Sequence, residues 1–302
     1  MLDMLESMPD DIRKAYGSRH AVSISGKVSS IIICGMGGSG IGGELLKDYL
    51  KYDLKVPIKV NRGYKLPGFV NRQTLVFIVS YSGKTEETLS MLKDAKKKGA
   101  NIVCVSSKKM NEKNFISVPS GLVPRMALPY LFFPILRVLE DIGMIKPQKK
   151  YVEESIKLLE KFNNSPAKKL AVDISGRTPI VYSHENFSSV ALRWKDQFNE
   201  NSKIIAHAAT FTEIDHNEIE SRIGKGFKVI IIRGGEDAKT KRQIKKSEKI
   251  IKKYVEVNSK GKSTLARMFY AIYFGDWTSY CLAKNKHIDP VKTSHINIIK
   301  KK

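Results

Sequence analysis

Hydrophobic positions fall into two kinds of run along the chain. Short continuous runs, Ser29–Cys34, Thr74–Ser80 (TLVFIVS) and Asn101–Ser107 (NIVCVSS), have the length and β-branched content of strands buried on both faces. Between them Gly43–Lys51 and Glu86–Lys98 place apolar residues at helical intervals, and Val56–Val60 offers a further short strand. Met126–Ile142 reads as an apolar helix, with Pro134 predicting a bend. Strands separated by helices of this length imply parallel β-α-β units and a doubly wound sheet.

The same grammar repeats after a polar stretch, Met144–Lys150 (MIKPQKK), which is the candidate linker. A helix is expected over Tyr151–Phe162, then a strand at Pro179–Ser183 and a helix at Ser188–Asn199. A buried strand at Lys228–Arg233 leads to a charged helix from about Lys239 to Lys253, a short strand at Tyr254–Val257 and a long apolar helix. Each half closes on an apolar helix opened by an Arg-Met pair, in GLVPRMALPYLFFPILRVLEDIG and in STLARMFYAIYFGDWTSYCLA. The fold class expected is α/β, two tandem doubly wound parallel-sheet domains of flavodoxin-like type, 1–147 and 148–302.

With 302 residues and 42% hydrophobic content, the chain has material for two cores, and global disorder is excluded. Charge changes the picture of its partners: 53 Lys+Arg against 30 Asp+Glu give +23, which favours anionic ligands. Most of the excess lies in lysine runs such as Lys96–Lys98, Lys245–Lys246, Lys252–Lys253 and Lys300–Lys302, which read first as solvated helix faces. Aromatics are not interleaved with these runs, so a nucleic-acid stacking platform is missing and no nucleic-acid partner is expected. Cys34, Cys104 and Cys281 form no C-x-x-C pair, and two of them sit in strand-like runs as core residues. This fits a reducing cytoplasm. The N-terminal segment MLDMLESMPDDIRKAYG is amphipathic and acidic rather than a signal peptide. The longest apolar stretch, Met126–Leu136, carries two prolines and is too short to span a bilayer, so no membrane partner is expected.

Two loops carry candidate chemistry. CGMGGSGIGGE (Cys34–Glu44) follows a strand and opens a helix, where glycines let the backbone approach a ligand and the helix N-terminus offers amides to an anion. Gly35, Gly37 and Gly40 have G-x-G-x-x-G spacing, but Asn61 and Arg62 stand where a dinucleotide site needs an acid. Glu44 reads as compensation of helix N-terminal charge rather than as a ligand. SYSGKTEET (Ser80–Thr88) also joins a buried strand to a helix and brings Ser80, Ser82 and Thr85 hydroxyls toward one oxyanion. It lacks the P-loop pattern, which argues against nucleoside triphosphate hydrolysis. Both loops fall at the carboxyl ends of parallel strands, the crevice where such sheets bind ligands.

Strand–GMGGSGIGG–helix followed by strand–SYSGKTEET–helix resembles the sugar isomerase (SIS) domain, a sugar-phosphate-binding α/β module. RWKDQFNENSK (Arg193–Lys203) followed by EIDHNEI (Glu213–Ile219) resembles the bifunctional phosphoglucose/phosphomannose isomerases over nearly the whole chain. The resemblance implies two tandem SIS-type domains, the first binding phosphate and the second contributing catalytic residues. It implies phosphate binding by Gly38, Ser39, Ser80, Ser82 and Thr85. It makes Arg125 the stabiliser of the intermediate and Glu200 the base. His216 becomes the ring-opening histidine supplied across a homodimer, and Lys292 completes the site. The second half has RGGEDAKTKR where the first has its serine-rich loop, which implies one phosphate site per chain.

The implied reaction interconverts glucose 6-phosphate, and mannose 6-phosphate with it, with fructose 6-phosphate through a cis-enediol. Ring opening moves a proton between oxygens, which suits a histidine and a lysine. One carboxylate then carries a proton between C2 and C1, and an arginine balances the enediolate. No metal or redox cofactor is required, and the chain has no H-E-x-x-H pattern. Taken alone, Glu200 is a loop carboxylate, His216 a surface ion-pair partner between Asp215 and Glu218, and Lys292 one lysine among many. His207 and His295 lie near the same segments. The competing function is a non-catalytic sugar-phosphate-binding regulator.

Overall fold

The computed structural model describes residues 1–300; the last two lysines of the Lys300–Lys302 run lie outside the described residues. Two short helices, α1 (Leu2–Glu6) and α2 (Met8–Gly17), come first. Then follow β1 (Ser30–Cys34), α3 (Gly37–Leu50), β2 (Ile58–Asn61), β3 (Thr74–Val79), α4 (Glu86–Lys97), β4 (Asn101–Ser106), β5 (Phe115–Ser117), α5 (Leu128–Asp141) and α6 (Lys149–Glu160). The rest of the chain forms α7 (Ser165–Ile174), β6 (Thr178–Ser183), α8 (Ser188–Asn201), β7 (His207–Thr210), α9 (Phe211–Ile214), β8 (Phe227–Arg233), α10 (Ala238–Ile251), β9 (Tyr254–Asn258), α11 (Thr264–Asn285) and α12 (Ser294–Lys300). The chain divides into two compact units, Ser7–Ile156 and the segment from Lys157 onward together with Met1–Glu6.

Every strand pairing in both units is parallel. The first sheet has the order β2-β1-β3-β4-β5 and the second β7-β6-β8-β9. Read from each unit's first strand, the order 2-1-3-4 recurs, as expected of two tandem doubly wound domains. In β1 and β3 every residue is buried, which requires apolar cover on both faces and explains their unbroken hydrophobic sequences. On one face Ile32, Cys34, Val76, Ile78 and Cys104 pack with Met91, Leu92 and Ala95 of α4. In the second unit Ile180, Tyr182, Val229 and Ile231 pack with Phe211, Ile214 and Ile244. All three cysteines are free and buried, and burial pushes the Cys34 and Cys104 thiols up to about 12. No helix among the described residues is long and apolar enough to cross a membrane.

Helix α3 begins at Gly37, well before the Gly43 start expected from sequence. The glycines lie inside the helix because it is pressed against its neighbours. A Cβ on Gly43 would lie 2.8 Å from Ile33 Cγ2, and one on Gly42 3.1 Å from the Leu131 carbonyl oxygen. A low-propensity run therefore becomes helical through tertiary packing. The expected Met126–Ile142 helix likewise splits into a 3-10 turn, Pro124–Ala127, and α5.

Candidate active site

In the first unit the two predicted loops meet at the carboxyl edge of the sheet. The backbone amide of Tyr81 donates to Ser39 Oγ at 3.3 Å, joining the β3–α4 loop to the first turn of α3. Ser80 Oγ and Thr85 Oγ1 are hydrogen bonded at 3.2 Å, and the Gly83 amide closes the turn onto the Ser80 carbonyl at 3.0 Å. Gly83 has φ +66°, in the region that favours glycine. Ser82 is exposed, and its hydroxyl accepts from the Lys84 amide at 3.3 Å. Neither N-cap residue, Met36 of α3 nor Thr85 of α4, makes a side-chain capping hydrogen bond, and Glu86 and Glu87 stand in the first turn of α4.

Arg125 belongs to the same place. A Cβ on Gly38 would lie 2.9 Å from the Pro124 carbonyl oxygen and 3.0 Å from Arg125 Cα, so the glycine loop packs backbone to backbone on the turn that carries Arg125. The Tyr81 hydroxyl accepts from the Leu122 amide at 2.8 Å and orders the approach to that turn. Arg125 itself is buried. The structure thus gathers Gly38, Ser39, Ser80, Thr85 and Arg125 into one neighbourhood, with Ser82 on its open side. Glu44 is held by Arg62 at 2.9 Å and Lys47 at 2.5 Å. An arginine therefore reaches back from the end of β2 where a dinucleotide fold presents a ribose-binding acid.

Glu200 lies half-buried in the last turn of α8 in the second unit. The rest of that helix is fixed on α11. Arg193 donates to Asp276 from Nε at 3.1 Å and from Nη2 at 2.7 Å, and Gln197 Nε2 donates to Asp276 Oδ1 at 2.8 Å, all buried. Trp194 Nε1 donates to the Ala271 carbonyl at 2.8 Å, and its ring stacks on Phe274. Asn201 Nδ2 donates to Ser279 Oγ at 2.9 Å and Ser202 Oγ to the Ser279 carbonyl at 2.8 Å. Residues 193, 197 and 201 recur at helical spacing, so one polar face of α8 is bound while Glu200 sits beside it. Lys203 folds back and donates to the Glu200 carbonyl.

His216 occupies an exposed turn after α9, and Lys292 an exposed segment between α11 and α12. Glu200, His216 and Lys292 thus come from three separate segments of the second unit. The imidazole that meets Glu218 is that of His207, with Nε2 at 3.0 Å from Oε2, and not that of His216. The Tyr182 hydroxyl donates to the other oxygen of Glu218 at 2.7 Å. These contacts join residues far apart in the chain, and no local motif announces them.

At the edge matching the first unit's serine loop, the second unit holds its own acids. Asp237 caps α10 by accepting from the Lys239 and Thr240 amides at 2.7 and 2.9 Å. Glu236 accepts from Arg233 Nε at 2.7 Å. Burial pushes the Glu236 carboxyl up, but Arg233 and the residue's own amide pull it below its ordinary value overall.

Fold and crevice together define a chain of two SIS domains. Residues 26–113 match the SIS domain family, and residues 163–302 match the family described as bacterial phospho-glucose isomerase C-terminal SIS domain. Two solved structures share the fold. These are the C-terminal domain of glucosamine-fructose-6-phosphate aminotransferase from Francisella tularensis and glucosamine-6-phosphate deaminase from Thermotoga maritima. Each has TM-score 0.74 at 17% identity, with 97% of each chain covered. The chain is 37% identical to the bifunctional phosphoglucose/phosphomannose isomerase of Caldicellulosiruptor bescii, over 100% of this chain and 98% of that one. It is 36% identical to the protein of the same name from Thermoplasma acidophilum, over 99% of this chain and 96% of that one. The chain belongs to the bifunctional phosphoglucose/phosphomannose isomerase family.

Proposed function

We propose that this protein is an aldose–ketose isomerase that interconverts glucose 6-phosphate and mannose 6-phosphate with fructose 6-phosphate. The observation that carries the reading is the union of the Ser39 loop, the Ser80–Thr85 loop and the Arg125 turn at one sheet edge, in a chain whose relatives bear that name. Amides and hydroxyls of Gly38, Ser39, Ser80, Ser82 and Thr85 take the phosphate. His216 and Lys292 open the sugar ring, with His216 supplied by the second copy of a homodimer. Glu200 transfers the proton between C2 and C1, and Arg125 balances the enediolate charge. The division of labour is by unit, with phosphate held by residues of Ser7–Ile156 and acid–base groups lent by residues from Lys157 onward. Three buried free cysteines suit a cytoplasmic location.

The relatives' shared name favours an enzyme over a non-catalytic sugar-phosphate regulator. A coupled assay with each aldose phosphate separates the two: a regulator shows ligand-induced thermal stabilisation and no turnover. Glu200→Gln is expected to lower kcat by about 10²–10⁴-fold, the range of a general base, while the inhibition constant for inorganic phosphate stays within about threefold. Retained turnover in that variant removes Glu200 from the mechanism.

A further inference from the structure

The turn that carries His216 is tied down on both sides by polar groups from other elements. Asp215 accepts from Gln243 Nε2 and Ser247 Oγ of α10, both at 2.7 Å. Asn217 donates to Glu213 Oε1 at 2.8 Å and accepts from the Glu218 amide. Glu218 then reaches two adjacent strands, Oε1 accepting from the Tyr182 hydroxyl of β6 at 2.7 Å and Oε2 lying 3.0 Å from His207 Nε2 at the head of β7. The strands are paired in register, Ile180 opposite His207, and Tyr182 is 1% exposed, so this tether ends on the sheet itself. Ile214 seats the start of this segment in the core and Ile223 packs against that core at its end, while no side chain from 215 to 222 between them is buried, so the span that carries His216 is held by polar ties. Burial and the neighbouring carboxylate push the Tyr182 phenol up, which keeps it a donor at neutral pH.

We propose that Glu218 is a positioning residue for His216: its carboxylate, gripped by Tyr182 and His207, sets the turn that aims the imidazole. This rests on His216 acting in ring opening. Displacing a reacting group by about 1 Å costs on the order of 10²-fold in rate, so the turn needs an anchor of this kind.

The test uses the full chain and glucose 6-phosphate, with Glu218→Ala, Glu218→Gln, Tyr182→Phe, His216→Asn and the double variant His216→Asn/Glu218→Ala. Glu218→Ala is expected to lower kcat by about 10- to 100-fold with KM within about threefold. Glu218→Gln keeps an oxygen that accepts from Tyr182 and stays within about fivefold of the parent. Tyr182→Phe removes one grip and falls between them, which keeps the test open if Glu218→Ala does not fold. In the His216→Asn background the Glu218 substitution adds no further loss, because it acts through the imidazole. Losses that multiply in the double variant, or full kcat in both Glu218→Ala and Tyr182→Phe, overturn the proposal. Full kcat in His216→Asn instead removes His216 from the reaction, a failure of the functional reading that this comparison reports separately.

Discussion

Gly38 sits where a side chain would strike backbone, 2.9 Å from the Pro124 carbonyl oxygen. Unlike a flexible side-chain tip, that neighbour cannot swing aside. Gly38→Ala is therefore expected to part the glycine loop from the Arg125 turn. Competition by inorganic phosphate should weaken by about tenfold, or 1.4 kcal/mol, checked by its inhibition constant. Residues of this kind were readable in the sequence because the loop's chemistry is contiguous: glycines, serines and a threonine within a few positions of a strand end. The grip on Glu218 was not readable, since Tyr182 lies 36 positions away and His207 lies 11. The sequence instead offered Glu218 as a neighbour of His216, and adjacency in a turn does not make two side chains meet.

At the scale of elements, α8 is the part whose placement matters most to the proposed base. The bidentate Arg193–Asp276 pair is buried at 2% and 1% side-chain exposure, with Gln197 satisfying a further lone pair. Asp276→Asn leaves a guanidinium in the interior without its counter-charge. A cost of about 3–5 kcal/mol is expected, read as a lowered denaturation midpoint, together with a fall in kcat because Glu200 rides on the same helix. Arg193 stood out only as part of a motif, and its partner 83 residues later carried no signal. Long buried strands and helices were legible from their hydrophobic runs. The short, partly exposed β5 and β7 and the short helices α9 and α12 lack a full period of buried positions, whereas α7 buries Ala167, Leu170, Ala171 and Ile174 at helical spacing, a stripe made faint by its two alanines. Propensity misled at α3, where packing against Ile33 and Leu131 overrides a glycine-rich sequence.

For the whole molecule, charge sets two expectations. The net charge of +23 draws in an anionic substrate, so kcat/KM for the sugar phosphate should fall as ionic strength rises through the range where the screening length shrinks to about 8 Å. Substitutions in lysine runs remote from the crevice should flatten that dependence without changing kcat. The acids behave oppositely in stability. The Lys228 hydrogen bond holds Asp173 below its ordinary value, and Arg233 holds Glu236 below its own despite burial. Because the unfolded chain binds these protons first, stability from both is present above the ordinary carboxylate range near pH 4 and is lost as pH falls through the lower folded values. Glu236→Gln is expected to melt at a lower temperature than the parent at pH 7 and to lose less on acidification, as scanning calorimetry across pH would show. The tandem architecture was legible because two halves repeat one order of strands, helices and closing Arg-Met helix.

The first six residues belong with the second unit, where α1 meets α11 and Leu5 is fully buried. During synthesis this hexapeptide emerges well before the rest of its unit, and its resting place is made only when residues beyond 264 have left the ribosome. At about 5–20 residues per second that is a wait of tens of seconds. Leu5 travels uncovered through the entire interval, while Ser7–Ile156 behind it already has everything its own core requires. A charged side chain in place of Leu5 would therefore burden the unit made last, not the one that follows it in the chain.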